Sequence, residues 1–286
     1  MWIYLFLIGL IGLGRGSSFF FIYIGIEDSS PITVITLRLI FAGLIAFVFL
    51  ILIRQLTSAF LVIYLKAGAV IGIVGLALPF YLVAYAERTV ETSLAGVITA
   101  TVPFFTALLV SMIGRQRPAS IPWIVLGLTG VVLVYVGGST TRATGYTTDT
   151  LLVVLSVLCY AINNVLIARS THLDKRVLAS TTMITAGVAG VVISLLTSSE
   201  LLSVSYRSIG VGLVLGSLCT AIPVLALFFA IARFGPVKGS FGVYLIPLVA
   251  LLLGVTVLSE RVTFIQGMGV VLILLAVYLQ ALRKIG

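Results

Sequence analysis

Gly68-Ala-Val-Ile-Gly72-Ile-Val-Gly75-Leu-Ala77-Leu-Pro79 returns in the second half as Gly212-Leu-Val-Leu-Gly216-Ser-Leu-Cys219-Thr-Ala221-Ile-Pro223. The offset is 144 residues (223 − 79) and it is constant: Pro103 and Pro247, Gly43 and Gly187, and Arg117 and Arg261 keep it too. The window 43–117 therefore aligns with 187–261 without a gap. Each half carries five long apolar runs, an odd number. A unit with an odd number of spans, duplicated in tandem, enters the membrane the second time with opposite orientation. The result is a pair of inverted repeats, the architecture of many alternating-access carriers.

Composition fits that reading. Hydrophobic residues make up 61% of the 286 residues and charged residues 9%, against about 25% charge in a soluble domain. The apolar runs cover 2–26, 31–53, 61–87, 91–112, 119–137, 150–169, 178–197, 207–232, 237–258 and 262–282. Each is close to the roughly 20 residues that cross a hydrocarbon core as helix. The expected fold is an all-α integral membrane protein of ten transmembrane helices in two inverted five-helix repeats. The first repeat spans 1–138, an external linker 139–149, and the second repeat 150–286. The first apolar run lacks a basic n-region and a small-residue cleavage site, so it reads as a retained helix.

The net charge of +9 is a topology signal. Arg15 and Arg38 lie inside apolar runs. Of the other basic residues, eleven fall on one side of the layout: Arg54, Lys66, Arg115, Arg117, Arg169, Lys175, Arg176, Arg233, Lys238, Arg283 and Lys284. Four fall on the other side: Arg88, Arg142, Arg207 and Arg261. This bias places both termini in the cytoplasm of a multi-pass inner-membrane protein and leaves no role for nucleic acid. Cys159 and Cys219 sit within apolar runs and read as packing thiols.

Small residues one turn apart at Gly12 and Gly16, Gly68 and Gly72, and Gly212 and Gly216 allow close helix contact in lipid. The third and eighth runs carry the last two pairs and are expected to cross each other near the pseudo-two-fold axis. The fifth and tenth runs, rich in Leu, Val and Ile, are expected at the periphery, facing lipid or a second copy. The chain would be a monomer or a homodimer. A proline within a helix removes one backbone donor. At matched points of two inverted halves, the pairs Pro79 and Pro223, and Pro103 and Pro247, point to helix breaks around a central site and to gating.

Arg15 is the most expensive residue in the chain. It lies about 20 Å into the first run at 1.5 Å per residue, near the midplane. A midplane arginine costs at least about 2.5–3.5 kcal/mol unless it faces a cavity or a partner. No carboxylate occurs at that depth. Two readings follow: the guanidinium meets a substrate carboxylate, or it is capped by carbonyls of a broken helix. Arg38, about two turns from the external end of the second run, is expected to pair with an acid at that surface (Glu27, Asp28, Glu87 or Glu91, with Glu87 first) or to snorkel to it, a gating role being the alternative. Other polar groups collect at similar depth: Ser17, Ser18, Tyr81, Tyr85, Thr99, Thr101, Tyr160, Asn163, Asn164, Ser240 and Tyr244. Taken together they outline an amphipathic substrate cavity, although any one of them suits a helix–helix hydrogen bond equally well.

Several absences narrow the function. No phosphate-binding Gly-rich loop with its Lys-Ser/Thr is present, which argues against an ATP-driven motor. The single histidine, His172, sits in a loop beside Asp174 and Lys175, so no metal site, cofactor or histidine chemistry is expected. With no carboxylate at mid-membrane, proton coupling would need the substrate or a rim residue such as Glu87.

The stretch Gly14-Arg15-Gly16-Ser17-Ser18-Phe19, the stretches Leu78-Pro79-Phe80 through Glu87-Arg88 and Thr101-Val102-Pro103-Phe104, and the second-half Tyr244-Leu245-Ile246-Pro247 and Ser259-Glu260-Arg261 resemble EamA-type members of the drug/metabolite transporter superfamily. The YddG-like exporters are the nearest comparison. The resemblance implies ten helices, a central pocket and export of amino acids or related metabolites. The chain departs from it at Arg15, where tryptophan is often found, and at Gln116-Arg117, where Glu-Arg is usual. The leading expectation is a secondary transporter, not an enzyme, exporting small amphipathic metabolites by alternating access. A passive channel or facilitator and a flippase for lipid-linked substrates are the alternatives.

Overall fold

The computed structural model describes residues 1–90, 92–114, 121–138, 147–197, 204–249, 252–253 and 263–282. Most of the linker, Glu91, and the basic residues Arg115, Arg117, Arg142, Arg261, Arg283 and Lys284 lie outside that set. The described chain is helical, with no strand. In order the helices are α1 (Trp2–Ile26), α2 (Pro31–Leu52), α3 (Val62–Ala86), α4 in two pieces (Thr92–Thr99 and Val102–Gly114), α5 (Ile121–Gly138), α6 (Thr147–Arg169), α7 (Lys175–Leu196), α8 (Tyr206–Phe234), α9 (Pro236–Val249) and α10 (Phe264–Leu282). By length and composition α1, α2, α3, α6, α7 and α8 are able to cross a bilayer, and the second piece of α4, α5, α9 and α10 are shorter apolar helices. The protein is thus an all-helical multi-span membrane protein.

Local sequence sets the helix starts. Ser30 caps α2, its hydroxyl accepting from the Thr33 N–H at 3.2 Å, and Pro31 occupies the first turn, where its missing donor is harmless. Asp174 caps α7 through the Arg176 N–H at 2.8 Å, and Ser205 caps α8 through the Ser208 N–H at 3.1 Å. Gly235, at φ 84°, supplies the left-handed residue that ends α8.

The relative direction of the two halves follows from contacts at the helix ends. Arg207, at the start of α8, bonds Glu27, just past the end of α1, at 3.2 Å. Asp149, at the start of α6, accepts from Thr89, just past the end of α3. α6 and α8 are the repeat counterparts of α1 and α3, so each begins at the level where its counterpart ends. Counterparts also cross antiparallel. Gly43 on α2 lies against Met183 and Ile184 of α7, while Gly187 lies against Leu39 and Ile40. On α5 and α10, Gly130 faces Gly269, and Gly137 faces Thr263 and Gln266. The halves are inverted.

The glycine pairs correct one expectation. Those on α3 and α8 do not bring these two helices together. Gly68 packs on Thr181 and Gly72 on Thr185, both in α7; Gly212 packs on Leu37 and Gly216 on Phe41, both in α2. Thr181 and Thr185 stand 144 residues from Leu37 and Phe41 (181 − 37), so the packing itself repeats with the sequence offset. Gly12 and Gly16 of α1 pack against Leu245 and Val249 of α9. α5 and α10 lie side by side, glycine against glycine, with Val125, Val132, Val271 and Leu274 on their outer faces. Such exposed aliphatic residues are what a lipid-facing surface requires.

The matched prolines act in two ways. In α3 and α8 the helix continues through them by widening into a π turn, Ile73–Ala77 and Ser217–Ala221, each placed just before the proline. The Leu78 N–H reaches back to Ile73 O and the Ile222 N–H to Ser217 O, so the hydrogen-bond ladder slips by one residue where Pro79 and Pro223 lack a donor. Pro103 and Pro247 sit in more open breaks. α4 is interrupted at 100–101, and α9 runs through a 3₁₀ segment, Phe241–Leu245, just ahead of Pro247.

Candidate substrate cavity

One face of α1 carries Arg15, Ser18, Phe19 and Ile22. These residues, with Arg38 of α2, Phe80 and Val83 of α3, Thr99 of α4, Tyr160 of α6 and Ile246 of α9, line an interior cavity of about 30 Å³. That volume holds about one or two waters. Both halves contribute walls to it.

The two arginines differ in what holds them. Pro223 has no N–H, so the carbonyl of Cys219 four residues earlier loses its helical donor. Arg38 supplies the missing donor from α2: its Nη2 donates to Cys219 O at 3.1 Å. Its Nε donates to Thr220 Oγ1 at 2.7 Å, and that hydroxyl donates in turn to Leu215 O at 2.7 Å. The guanidinium carbon also stands over Phe80, 3.8 Å from the ring centroid. Arg38 is 3% exposed, and its polar atoms are largely spent on the break in α8.

Arg15 has no such partner. Its guanidinium carbon stands 5.0 Å over the Tyr160 ring, and its enclosed Nη2 makes no hydrogen bond among the described residues. A cation–π contact of about 0.5–2 kcal/mol falls short of the cost of at least about 2.5–3.5 kcal/mol for an arginine at the midplane. Of the two readings offered by the sequence, capping by a broken helix therefore describes Arg38, while Arg15 keeps unspent donors in the cavity. The expected pairing of Arg38 with Glu87 is corrected on the same ground. Glu87 stands just past the end of α3, its two oxygens are enclosed and make no hydrogen bond, and the ion pairs among the described residues are Arg176–Asp174 and Arg207–Glu27.

Of the other polar residues named from the sequence, Ser18, Thr99 and Tyr160 reach the cavity. Thr99 Oγ1 is enclosed without a partner, and the Ser18 hydroxyl donates to Arg15 O at 2.7 Å. The rest go elsewhere. Ser17 donates to Leu13 O and touches Cys219 Sγ. Tyr81 bonds Thr36 on α2 at 2.8 Å, and Thr101 donates back to Ile98 O. Asn163 lies over Gly75 at the π turn of α3, and Asn164 donates to Thr106 at 3.2 Å. Ser240 donates to Val237 O, and Tyr244 donates to Ile124 O of α5 at 2.9 Å with its ring packed on Gly127. Tyr85 faces a separate surface groove of about 450 Å³, lined with Ser29, Ser30 and Arg88. Sequence reasoning missed the apolar lining: Phe19, Ile22, Phe80, Val83 and Ile246. Phe19 and Ile22 were within reach of helical periodicity, being i+4 and i+7 from Arg15; nothing local marked Val83 or Ile246.

Comparison with known proteins agrees with this architecture. The Escherichia coli K12 protein described as an uncharacterized inner membrane transporter, YedA, is 27% identical over 282 residues, covering 94% of this chain and 87% of its own length. The same protein of E. coli O157:H7 matches equally. A solved crystal structure superposes with a TM-score of 0.75 at 16% identity, covering 96% of each chain, a likeness of fold. The EamA-like transporter family matches residues 1–136 and again residues 148–282, one copy for each half. With nearly all of its length matched by two successive copies of that unit, the chain belongs to the EamA-like transporter family of membrane transporters.

Proposed function

We propose that the chain exports small amphipathic metabolites bearing a carboxylate, amino acids or related acids, across the inner membrane by alternating access through the central cavity. The observation that carries this reading is Arg15: an arginine at mid-membrane depth, over an aromatic ring, with an enclosed nitrogen that no group among the described residues satisfies. A substrate carboxylate satisfies it by a charge-assisted hydrogen bond, and Phe19, Ile22, Phe80 and Val83 meet an apolar body. A cavity of about 30 Å³ must widen to admit any such ligand. Both halves carry π turns and prolines where helices bend at low cost. Rocking of one inverted half against the other then exposes the site to each side in turn.

The test is a thermal-shift panel of amino acids, organic acids and cationic drugs on detergent-purified protein, repeated with Arg15→Gln. Carboxylate ligands should stabilise the wild type, and the substitution should abolish that stabilisation while the protein remains folded. Unchanged carboxylate binding in Arg15→Gln would refute the anchor. Saturable counterflow in liposomes separates a carrier from a passive facilitator, whose flux does not saturate.

A further inference from the structure

We propose that Arg38 is a second anion-binding group of the same cavity, and that with Arg15 it selects ligands carrying two negative charges, a dicarboxylate or a phosphate monoester, over monoanions and zwitterions. This rests on the reading of Arg15 as a carboxylate anchor and sharpens its substrate class.

Two guanidinium groups line one small cavity and repel each other. No carboxylate lies within ion-pair distance of either among the described residues. Aromatic faces stand in for anions instead, in an unbroken ladder. Arg38 lies 3.8 Å from the Phe80 centroid, Phe80 is 6.4 Å from Tyr160, and Tyr160 is 5.0 Å from the Arg15 guanidinium carbon. A ring face holds a cation more weakly than a charge-assisted hydrogen bond does, so an arriving anion can displace it. Arg38 is also fixed in advance: α8 occupies Nε and Nη2, and Nη1 makes no hydrogen bond among the described residues. Its orientation therefore costs the ligand no ordering entropy.

The repeat sharpens the point. The positions 144 residues on from Arg15 and Arg38 are Cys159 and Thr182, so the second half repeats neither charge. Both cations belong to one half and are not by-products of duplication. A single carboxylate would neutralise one guanidinium and leave the other buried and uncompensated. A zwitterion would bring an ammonium group toward two cations. The titratable neighbours of the pair are Tyr160, Cys219 and Glu87. The Glu87 carboxyl, enclosed and without a donor, supplies no contact charge to Arg38.

The experiment measures ligand affinity by thermal shift at matched ionic strength. Its probes are succinate, glycerol 3-phosphate, butyrate and leucine. It compares wild type, Arg38→Met, the charge-retaining Arg38→Lys and Glu87→Gln. Wild type should bind succinate or glycerol 3-phosphate about tenfold or more tightly than butyrate or leucine, a difference of one charge pair; which of the two dianions binds identifies the acid type. Arg38→Met should bring dianion affinity down to that of butyrate and leave butyrate unchanged, Arg38→Lys should keep part of the preference if Arg38→Met folds poorly, and Glu87→Gln should keep all of it. Butyrate or leucine binding as tightly as both dianions, or Arg38→Met weakening every ligand alike, would overturn the proposal. So would a dianion preference that first arises in Glu87→Gln. Butyrate binding that depends on Arg15 but shows no dianion preference leaves the anchor standing and removes the clamp; glycerol 3-phosphate binding with no carboxylate binding keeps the clamp and replaces the carboxylate anchor by a phosphate one; absence of binding by all four probes removes both.

Discussion

Replacing Thr220 by valine should cost more than a buried Thr-to-Val change normally does, because the hydroxyl stands between an arginine and a helix break. Thr220 Oγ1 accepts from Arg38 Nε at 2.7 Å and donates to Leu215 O at 2.7 Å. Valine fills nearly the same volume, so packing is kept and only the two hydrogen bonds are lost. One of them involves a charged, buried donor whose loss leaves Nε–H unsatisfied. The expected destabilisation is about 2–3 kcal/mol, equivalent to roughly 5–10 °C in the thermal midpoint of a chain this long. Thr220→Ser, which keeps the hydroxyl, should stay within about 1 kcal/mol of wild type. The decisive measurement is a double-mutant cycle on detergent-purified protein. In an Arg38→Met background the Nε donor is already gone, so Thr220→Val should lose most of its effect, with a coupling energy of about 1.5–3 kcal/mol. If the valine variant shifts the midpoint equally in both backgrounds, or by less than about 2 °C in wild type, Arg38 does not cap α8 as described here.

Gly14→Ala should destabilise by about 1–3 kcal/mol through overpacking, since the added Cβ would lie 2.3 Å from Pro223 Cγ and 2.6 Å from Leu218 O. Gly9→Ala on the same helix meets nothing within 4 Å, and its thermal midpoint should be unchanged or higher; similar losses in both would contradict the α1–α8 contact. Tyr244→Phe removes the hydroxyl that donates to Ile124 O and should cost about 1 kcal/mol without altering carboxylate binding; a loss of binding would return Tyr244 to the substrate site. At the aqueous edge, hydrogen bonds from Ser205 and Ser208 hold the Asp28 carboxyl below its usual range. A depressed folded value stabilises the protein above the unfolded value of 3.8, and that contribution is lost as pH falls through the lower folded value. Melting curves from pH 6 to 3 should therefore fall more steeply in wild type than in Asp28→Asn.

The duplication was legible in the sequence because glycines and prolines answer to backbone geometry, which a repeat must preserve. A close approach at Gly72 or a missing donor at Pro79 cannot drift without disturbing the helix around it. What each glycine touches was not legible. Gly68-x-x-x-Gly72 announces a close neighbour but carries no label for which one. The expectation that α3 would meet α8 failed because inverted halves interlock by exchange, α3 on α7 and α8 on α2. Polar residues misled for a related reason. Ser and Thr in apolar helices satisfy themselves on their own preceding turn, as Thr101 does on Ile98 O and Ser240 on Val237 O. Tyr81 and Tyr244 reach only as far as the adjoining helix. Depth alone thus overcounts site residues, and it undercounts the apolar wall that encloses them.

The two arginines show where sequence reasoning stops and why. From the chain alone, both are guanidinium groups in apolar runs, and the deeper one looks more in need of a helix carbonyl. What decides between them is a distance across helices, from a carbonyl released by Pro223 on α8 to α2. At 3.1 Å, Arg38 reaches Cys219 O. Arg15 meets the face of the Tyr160 ring, and its Nη2 finds no hydrogen-bond partner among the described residues. The same π turn before a proline exists in the first half, but there the neighbour packed on Gly75 is the neutral Asn163. Inverted backbones with unequal polar neighbours need not be equally easy to bend. A cation ties α2 to the break in α8, whereas the break in α3 has a neutral amide beside it. An anion entering beside Arg15 would therefore act electrostatically on the α8 break and not on its α3 counterpart, so the two halves would respond unequally to one ligand.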